Sequence, residues 1–106
     1  MVLWSNIERA AEALLATAPA GSRVILFGSQ ARCGADDRSD VDFLVIEPTV
    51  KDRLQEMLRL EEALRAMRLP VDILVLSATV FERWKTTPNS IAYRAAREGR
   101  VYGPAA

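Results

Sequence analysis

Arg23-Val-Ile-Leu-Phe-Gly-Ser-Gln-Ala-Arg-Cys-Gly-Ala-Asp-Asp-Arg-Ser-Asp-Val-Asp-Phe-Leu-Val-Ile46 sets two apolar runs on either side of a polar, glycine-containing segment. The first run, Arg23 to Phe27, is short, partly β-branched and bounded by Gly21 and Gly28, the pattern of a buried strand. Gly28 and Ser29 then fall just past its C-terminal end. Ala31 to Cys33 suit a short helical turn, and strand character returns from Asp40 to Ile46, ended by Glu47 and Pro48. The short connection between the runs suits antiparallel neighbours. Asp40 and Asp42, two apart on a strand, point to one face with roughly 7 Å between their α-carbons.

Outward from this centre, Ser5 and Glu8 have capping-box spacing, and Ile7, Ala11, Leu14, Leu15 and Ala18 share one face of a helix expected from about Asn6 to Thr17. A longer helix is expected from Thr49 to about Met67, capped by Thr49 with Asp52 three residues on. Its apolar stripe of Val50, Leu54, Met57, Leu58, Leu64 and Met67 is interrupted only by Glu61. Pro70 precedes a third strand, Val71 to Leu76. Ser77 or Thr79 then caps a short helix containing Val80, Phe81 and Trp84, and a last helix, about Ser90 to Glu98, stops at Gly99 before a short edge strand at Val101 and Tyr102. Core packing is the expected use of Trp4 and Trp84.

Helices alternating with strands predict a single α/β (α+β) domain over residues 1–106, a small mixed sheet of three to four strands covered by helices. The long connection between the second and third strands allows a right-handed crossover and hence parallel pairing. Asp40, Asp42 and Asp72 then lie near N-terminal strand ends at one edge of the sheet, and the antiparallel first strand brings Gly28 and Ser29 to that same edge.

Composition narrows the chemistry. Lysine plus arginine equals aspartate plus glutamate, 14 each, so no global positive field draws the chain onto nucleic acid. Histidine is absent, which leaves carboxylates, hydroxyls and Cys33 and favours hard, oxygen-seeking metals over zinc. One cysteine forms no internal disulfide, the N-terminal residues lack a signal-peptide pattern, and no apolar run is long enough for a membrane span. A cytoplasmic protein is expected.

Two carboxylates as close as Asp40 and Asp42 repel unless a cation lies between them, which favours magnesium. With Asp72 they make a cluster able to hold two metal ions for in-line phosphoryl transfer. Gly28 allows close backbone approach to phosphates, Ser29 adds a hydroxyl, and Arg32 adds positive charge. Each element has a plainer reading: Gly28-Ser29 as an ordinary turn, Asp40-Val-Asp42 as a solvated cap, Asp72 as a strand edge, Cys33 as a packing residue. Their convergence on one edge is what favours chemistry.

The stretch from Gly28 to Val45, Gly-Ser followed about ten residues later by Asp-x-Asp and apolar residues, resembles the signature of the minimal nucleotidyltransferases of the DNA polymerase beta superfamily. Pro70-Val-Asp72-Ile-Leu-Val75 matches where that family places its third carboxylate, and Ala96-Arg-Glu-Gly-Arg-Val-Tyr-Gly103 is similar to its C-terminus. The resemblance implies a polymerase-beta-like nucleotidyltransferase fold, two magnesium ions, ATP as donor and transfer of AMP to a hydroxyl. It implies triphosphate contacts by Gly28 and Ser29, metal binding by Asp40, Asp42 and Asp72, and a share for Asp72 in deprotonating the acceptor. Cys33 departs from the family's usual glycine and bears on the shape of the phosphate loop.

Members are often antitoxins paired with a small helical HEPN-domain ribonuclease toxin, whose tyrosine accepts AMP. The resemblance thus implies such a partner, which the absence of an added acceptor-binding domain also suits, with homo- or hetero-oligomers as possible assemblies. The alternative is a non-catalytic nucleotide-binding partner that neutralises a toxin by steric binding. Transfer to RNA or to a small molecule ranks below both, for want of a basic tract or a further substrate domain.

Overall fold

The computed structural model describes residues 4–27 and 41–103. In chain order the elements are α1 (Trp4–Thr17), β1 (Arg23–Phe27), β2 (Val41–Glu47), α2 (Arg53–Leu64) with a tight 3-10 turn (Arg65–Met67), β3 (Val71–Ser77), α3 (Ala78–Trp84), α4 (Ile91–Glu98) and β4 (Arg100–Tyr102). They build the mixed α/β architecture expected, a four-stranded sheet in the order β3-β2-β1-β4. The β1–β2 and β1–β4 pairs are antiparallel and β2–β3 is parallel.

Strand alternation gives the sheet two apolar faces, each covered by a helix pair. Val24, Leu26, Val41, Phe43, Val45, Ile73 and Val75 pack with Ile7, Ala10, Ala11 and Leu14 of α1 and Leu60 and Leu64 of α2. Ile25, Phe27, Leu44 and Ile46 pack on the other side with Phe81 of α3 and Ala92 and Ala95 of α4. Central β2 is therefore apolar on both faces, which is why its sequence shows an almost unbroken hydrophobic run after Asp42.

Several helix details differ from the sequence reading. The α1 helix already includes Trp4 and Ser5, and Glu8 does not close a capping box: its carboxylate accepts from Trp4 Nε1 at 3.1 Å and lies 3.5 Å from Arg100. The α2 cap is Asp52, which accepts from the Gln55 backbone N–H at 3.1 Å, and not Thr49. A short carboxylate outranks a threonine at this position, and residues 49–51 are left to connect β2 to the helix. The regular helix ends at Leu64 and closes through the 3-10 turn onto Arg68 at φ 53°. The buried stripe is Leu60 and Leu64, joined by Met57 and Met67, whereas Leu54 and Leu58 lie roughly 80–160° around the helix from Leu60 and Leu64 and are exposed.

Trp4 and Trp84 are 41% and 46% exposed, so neither is the core residue expected. Trp4 instead stacks its ring 5.1 Å from the Arg100 guanidinium. Ser77 caps α3 and Ser90 caps α4, each by accepting a backbone N–H three residues on.

Candidate active site

Asp42 stands at the second position of β2 and Asp72 at the second position of β3, and the parallel register pairs them directly. Phe27, the last residue of β1, pairs with Asp42 from the antiparallel side. Because neighbouring paired residues share a face, Phe27, Asp42 and Asp72 form one row across three strands, on the side covered by α3 and α4. The α2 crossover places the start of β3 beside the start of β2, and β1 runs the other way so that its end arrives there too. Of the six site residues expected from the sequence, Asp42 and Asp72 are thus brought together. Gly28, Ser29, Arg32 and Asp40 lie outside the described residues, as does Cys33.

The row opens into a cleft of about 370 Å³. Asp42 is partly exposed and Asp72 exposed, so both carboxylates reach solvent without the full penalty of burial. Glu61 reaches the same cleft from α2 and Arg94 from α4, while Phe27, Met57 and Ile91 give it apolar wall. The Arg94 guanidinium lies 6.0 Å from the centre of the Phe27 ring. Its helix is set by Ser90, whose hydroxyl accepts from the Tyr93 N–H at 3.1 Å and whose carbonyl accepts from the Arg94 N–H at 3.1 Å. Glu61, Arg94 and Phe27 were not singled out by sequence reasoning. Glu61 had left a signal, the one polar residue in an otherwise apolar helical stripe. Arg94 left none, being one of three arginines between residues 94 and 100.

A larger hollow, about 710 Å³, lies at the opposite end of β2 and is lined by Glu47, Glu56 and Arg59. It contains none of the expected site residues, and its chemistry is internal. The Arg59 side chain donates to both Glu56 carboxylate oxygens, at 2.8 and 2.7 Å, and to the Thr17 carbonyl at 2.9 Å.

The donor set of the smaller cleft suits a hard cation. It offers carboxylate oxygens on adjacent strands, whose axes are roughly 4.8 Å apart, in a chain with no histidine. Among the described residues no group of three histidine, cysteine, aspartate or glutamate side chains is gathered closely enough to hold a metal by itself. Asp42 and Asp72 are the described part of the carboxylate set expected from the sequence.

Residues 7–98 match the nucleotidyltransferase domain family, nearly the whole described chain. The chain belongs to that family. A nucleotidyltransferase domain in general uses a nucleotide and a metal ion. Curated proteins provide no match. Among solved structures, the nucleotidyltransferase domain is similar to a chain of the complex of tri-AMPylated Shewanella oneidensis HEPN toxin with MNT antitoxin, with a TM-score of 0.61 at 18% identity over 93% of this chain and 71% of that one. It is also similar to a chain of a mutant MntA–HpeT toxin–antitoxin structure, with a TM-score of 0.60 at 16% identity over 91% of this chain and 71% of that one. At these identities the likeness is one of fold. Among the described residues no helix is long and apolar enough to cross a membrane.

Proposed function

We propose that the protein transfers a nucleoside monophosphate, AMP from ATP, to a hydroxyl of a partner protein, and that this modification neutralises a HEPN-type toxin. The observation that carries the reading is the pairing of Asp42 with Asp72 in a solvent-open cleft of a chain in the nucleotidyltransferase family. The partner is suggested by the fold neighbours, one of which is a complex with a tri-AMPylated HEPN toxin.

In the proposed site Asp40, Asp42 and Asp72 hold magnesium, which when bound offsets the charge of the triphosphate and favours ionisation of the acceptor hydroxyl. Gly28 and Ser29, which directly follow Phe27 in the chain, cradle the phosphates, and Arg32 adds charge there. The acceptor oxygen forms a bond to the α-phosphorus, the bond from that phosphorus to the bridging oxygen breaks, and pyrophosphate leaves. Asp72 accepts the hydroxyl proton. The apolar wall of Phe27, Met57 and Ile91 excludes water from one side of the cleft and so disfavours hydrolysis over transfer.

The test is incubation of the purified protein with α-labelled ATP, magnesium and a HEPN-type partner encoded beside it. Label should appear on a tyrosine of the partner, and Asp42→Asn or Asp72→Asn should slow labelling on the order of 100-fold or more. An unlabelled partner that is still neutralised by both variants would instead establish steric binding without turnover.

A further inference from the structure

Three carboxylates, Asp42, Asp72 and Glu61, face a cleft that the proposed reaction must fill with a polyanion, and Arg94 is the cation among its described lining residues. Its placement is specific. The guanidinium lies over the Phe27 ring, and Phe27 is both the register partner of Asp42 and the residue after which the chain continues into Gly28 and Ser29. A guanidinium carries its five N–H donors in one plane, and its attraction to an aromatic face leaves donors on its outer edge for a ligand. This geometry presents a planar fork, the arrangement that meets phosphate oxygens two at a time. The α4 backbone supports it from below, since Ala92 and Ala95 are buried against the sheet and leave Arg94 on the exposed side of the helix.

We propose that Arg94 is a phosphate-binding residue of this site, which grips the terminal phosphates of the nucleoside triphosphate and helps set the preference for a triphosphate over a monophosphate. The proposal rests on the nucleotidyltransferase reading above. Arg94 supplies fixed positive charge on the β1 side of the row, away from Asp72, so the terminal phosphates meet a cation there, whereas the two aspartates would engage the polyphosphate only through a bound divalent cation. Pyrophosphate then leaves along the Arg94 side, where the same fork stabilises the charge that develops on it.

The test is titration calorimetry of the full chain with ATP and with AMP, each in magnesium, for the wild type, Arg94→Ala, Arg94→Lys and Asp72→Asn. Arg94→Ala should weaken ATP binding roughly 10- to 100-fold, the range for a charged hydrogen-bonding group, while AMP binding changes less than about threefold. Arg94→Lys should recover part of the loss, because a lysine keeps the charge without the fork. Circular dichroism melting should leave both variants at the wild-type transition, since the side chain is exposed. If Asp72→Asn loses ATP but Arg94→Ala binds it as the wild type does, the Arg94 assignment is wrong and the site stands. If ATP and AMP weaken equally in Arg94→Ala, the residue shapes the wall and does not grip phosphate, which also overturns the assignment. A wild type that binds neither nucleotide removes the nucleotidyltransferase reading and this inference together.

Discussion

Glu47 closes β2 at the end remote from Asp42, and it is a carboxylic acid with 2% of its surface exposed. Burial pushes its carboxyl up to about 8, and the neighbouring Glu56 carboxylate adds to the rise through a hydrogen bond and its charge, against a smaller opposing pull from Arg59. Its Oε2 atom is buried without a hydrogen-bond partner, as suits a neutral acid that donates to Glu56 through its other oxygen. Arg59 holds Glu56 well below the ordinary carboxylate range. The two shifts act on stability in opposite directions. The folded chain keeps the Glu47 proton where the unfolded chain has released it, so this contribution is complete below 4.5 and is lost as pH rises toward about 8. The Glu56 contribution is present above 4.5 and is lost as pH falls below that value. Glu47→Gln, neutral throughout, should flatten the loss between pH 4.5 and 8 and be more stable than the wild type at pH 8, by at most a few kcal/mol, about 5–15 °C in Tm. Thermal melts across that range check it, and parallel curves for the two proteins would contradict the assignment of the proton to Glu47.

Among the elements, the α4–β4 junction packs so closely on β1 that only a glycine fits at residue 99. A Cβ on Gly99 would collide with Cγ2 of Ile25 and with the carbonyl oxygen of Ala95, and it would press on the Leu26 carbonyl at 3.1 Å. Two of these are backbone atoms, so a flexible side chain cannot relieve the clash. The Gly99 backbone N–H also closes α4 by donating to Ala95 at 2.9 Å. Gly99→Ala should therefore destabilise the fold by about 1–3 kcal/mol, measured by urea unfolding, and should shift α4 and Arg94 with it. An unchanged midpoint would show that α4 can move away from β1 without cost. Most of these elements were legible in the sequence, because apolar periodicity and the punctuation by Gly21, Pro70, Ser77, Ser90 and Gly99 are local signals. The exceptions have tertiary causes. Glu8 had cap spacing but is engaged by Trp4 and Arg100, a pairing made when β4 joins the sheet beside β1. Leu54 and Leu58 belong to the apolar stripe by spacing, but the packing of α2 turns Leu60 and Leu64 to the sheet and leaves those two exposed.

At the scale of the whole molecule, the candidate site arises from topology. A parallel β2–β3 pair and an antiparallel β1 deliver Phe27, Asp42 and Asp72 to one row, and β1 to β3 all owe their order to apolar faces packed on two helix pairs. That row was legible because the Asp-x-Asp spacing and the β2–α2–β3 crossover were both visible in the chain. Glu61 showed only as the polar break in an apolar stripe, and Arg94 did not show at all, because it reaches the cleft from a helix 22 residues beyond Asp72 in the chain. The account therefore stands on one claim, that Asp42 and Asp72 jointly hold a divalent cation for a nucleotide. A crystal grown with manganese and a non-hydrolysable ATP analogue tests it most directly. The account predicts an anomalous peak roughly 2.0–2.3 Å from a carboxylate oxygen of Asp42 and from one of Asp72, with the triphosphate completing the shell. A peak coordinated elsewhere, or a nucleotide bound with neither aspartate touching metal, would contradict it.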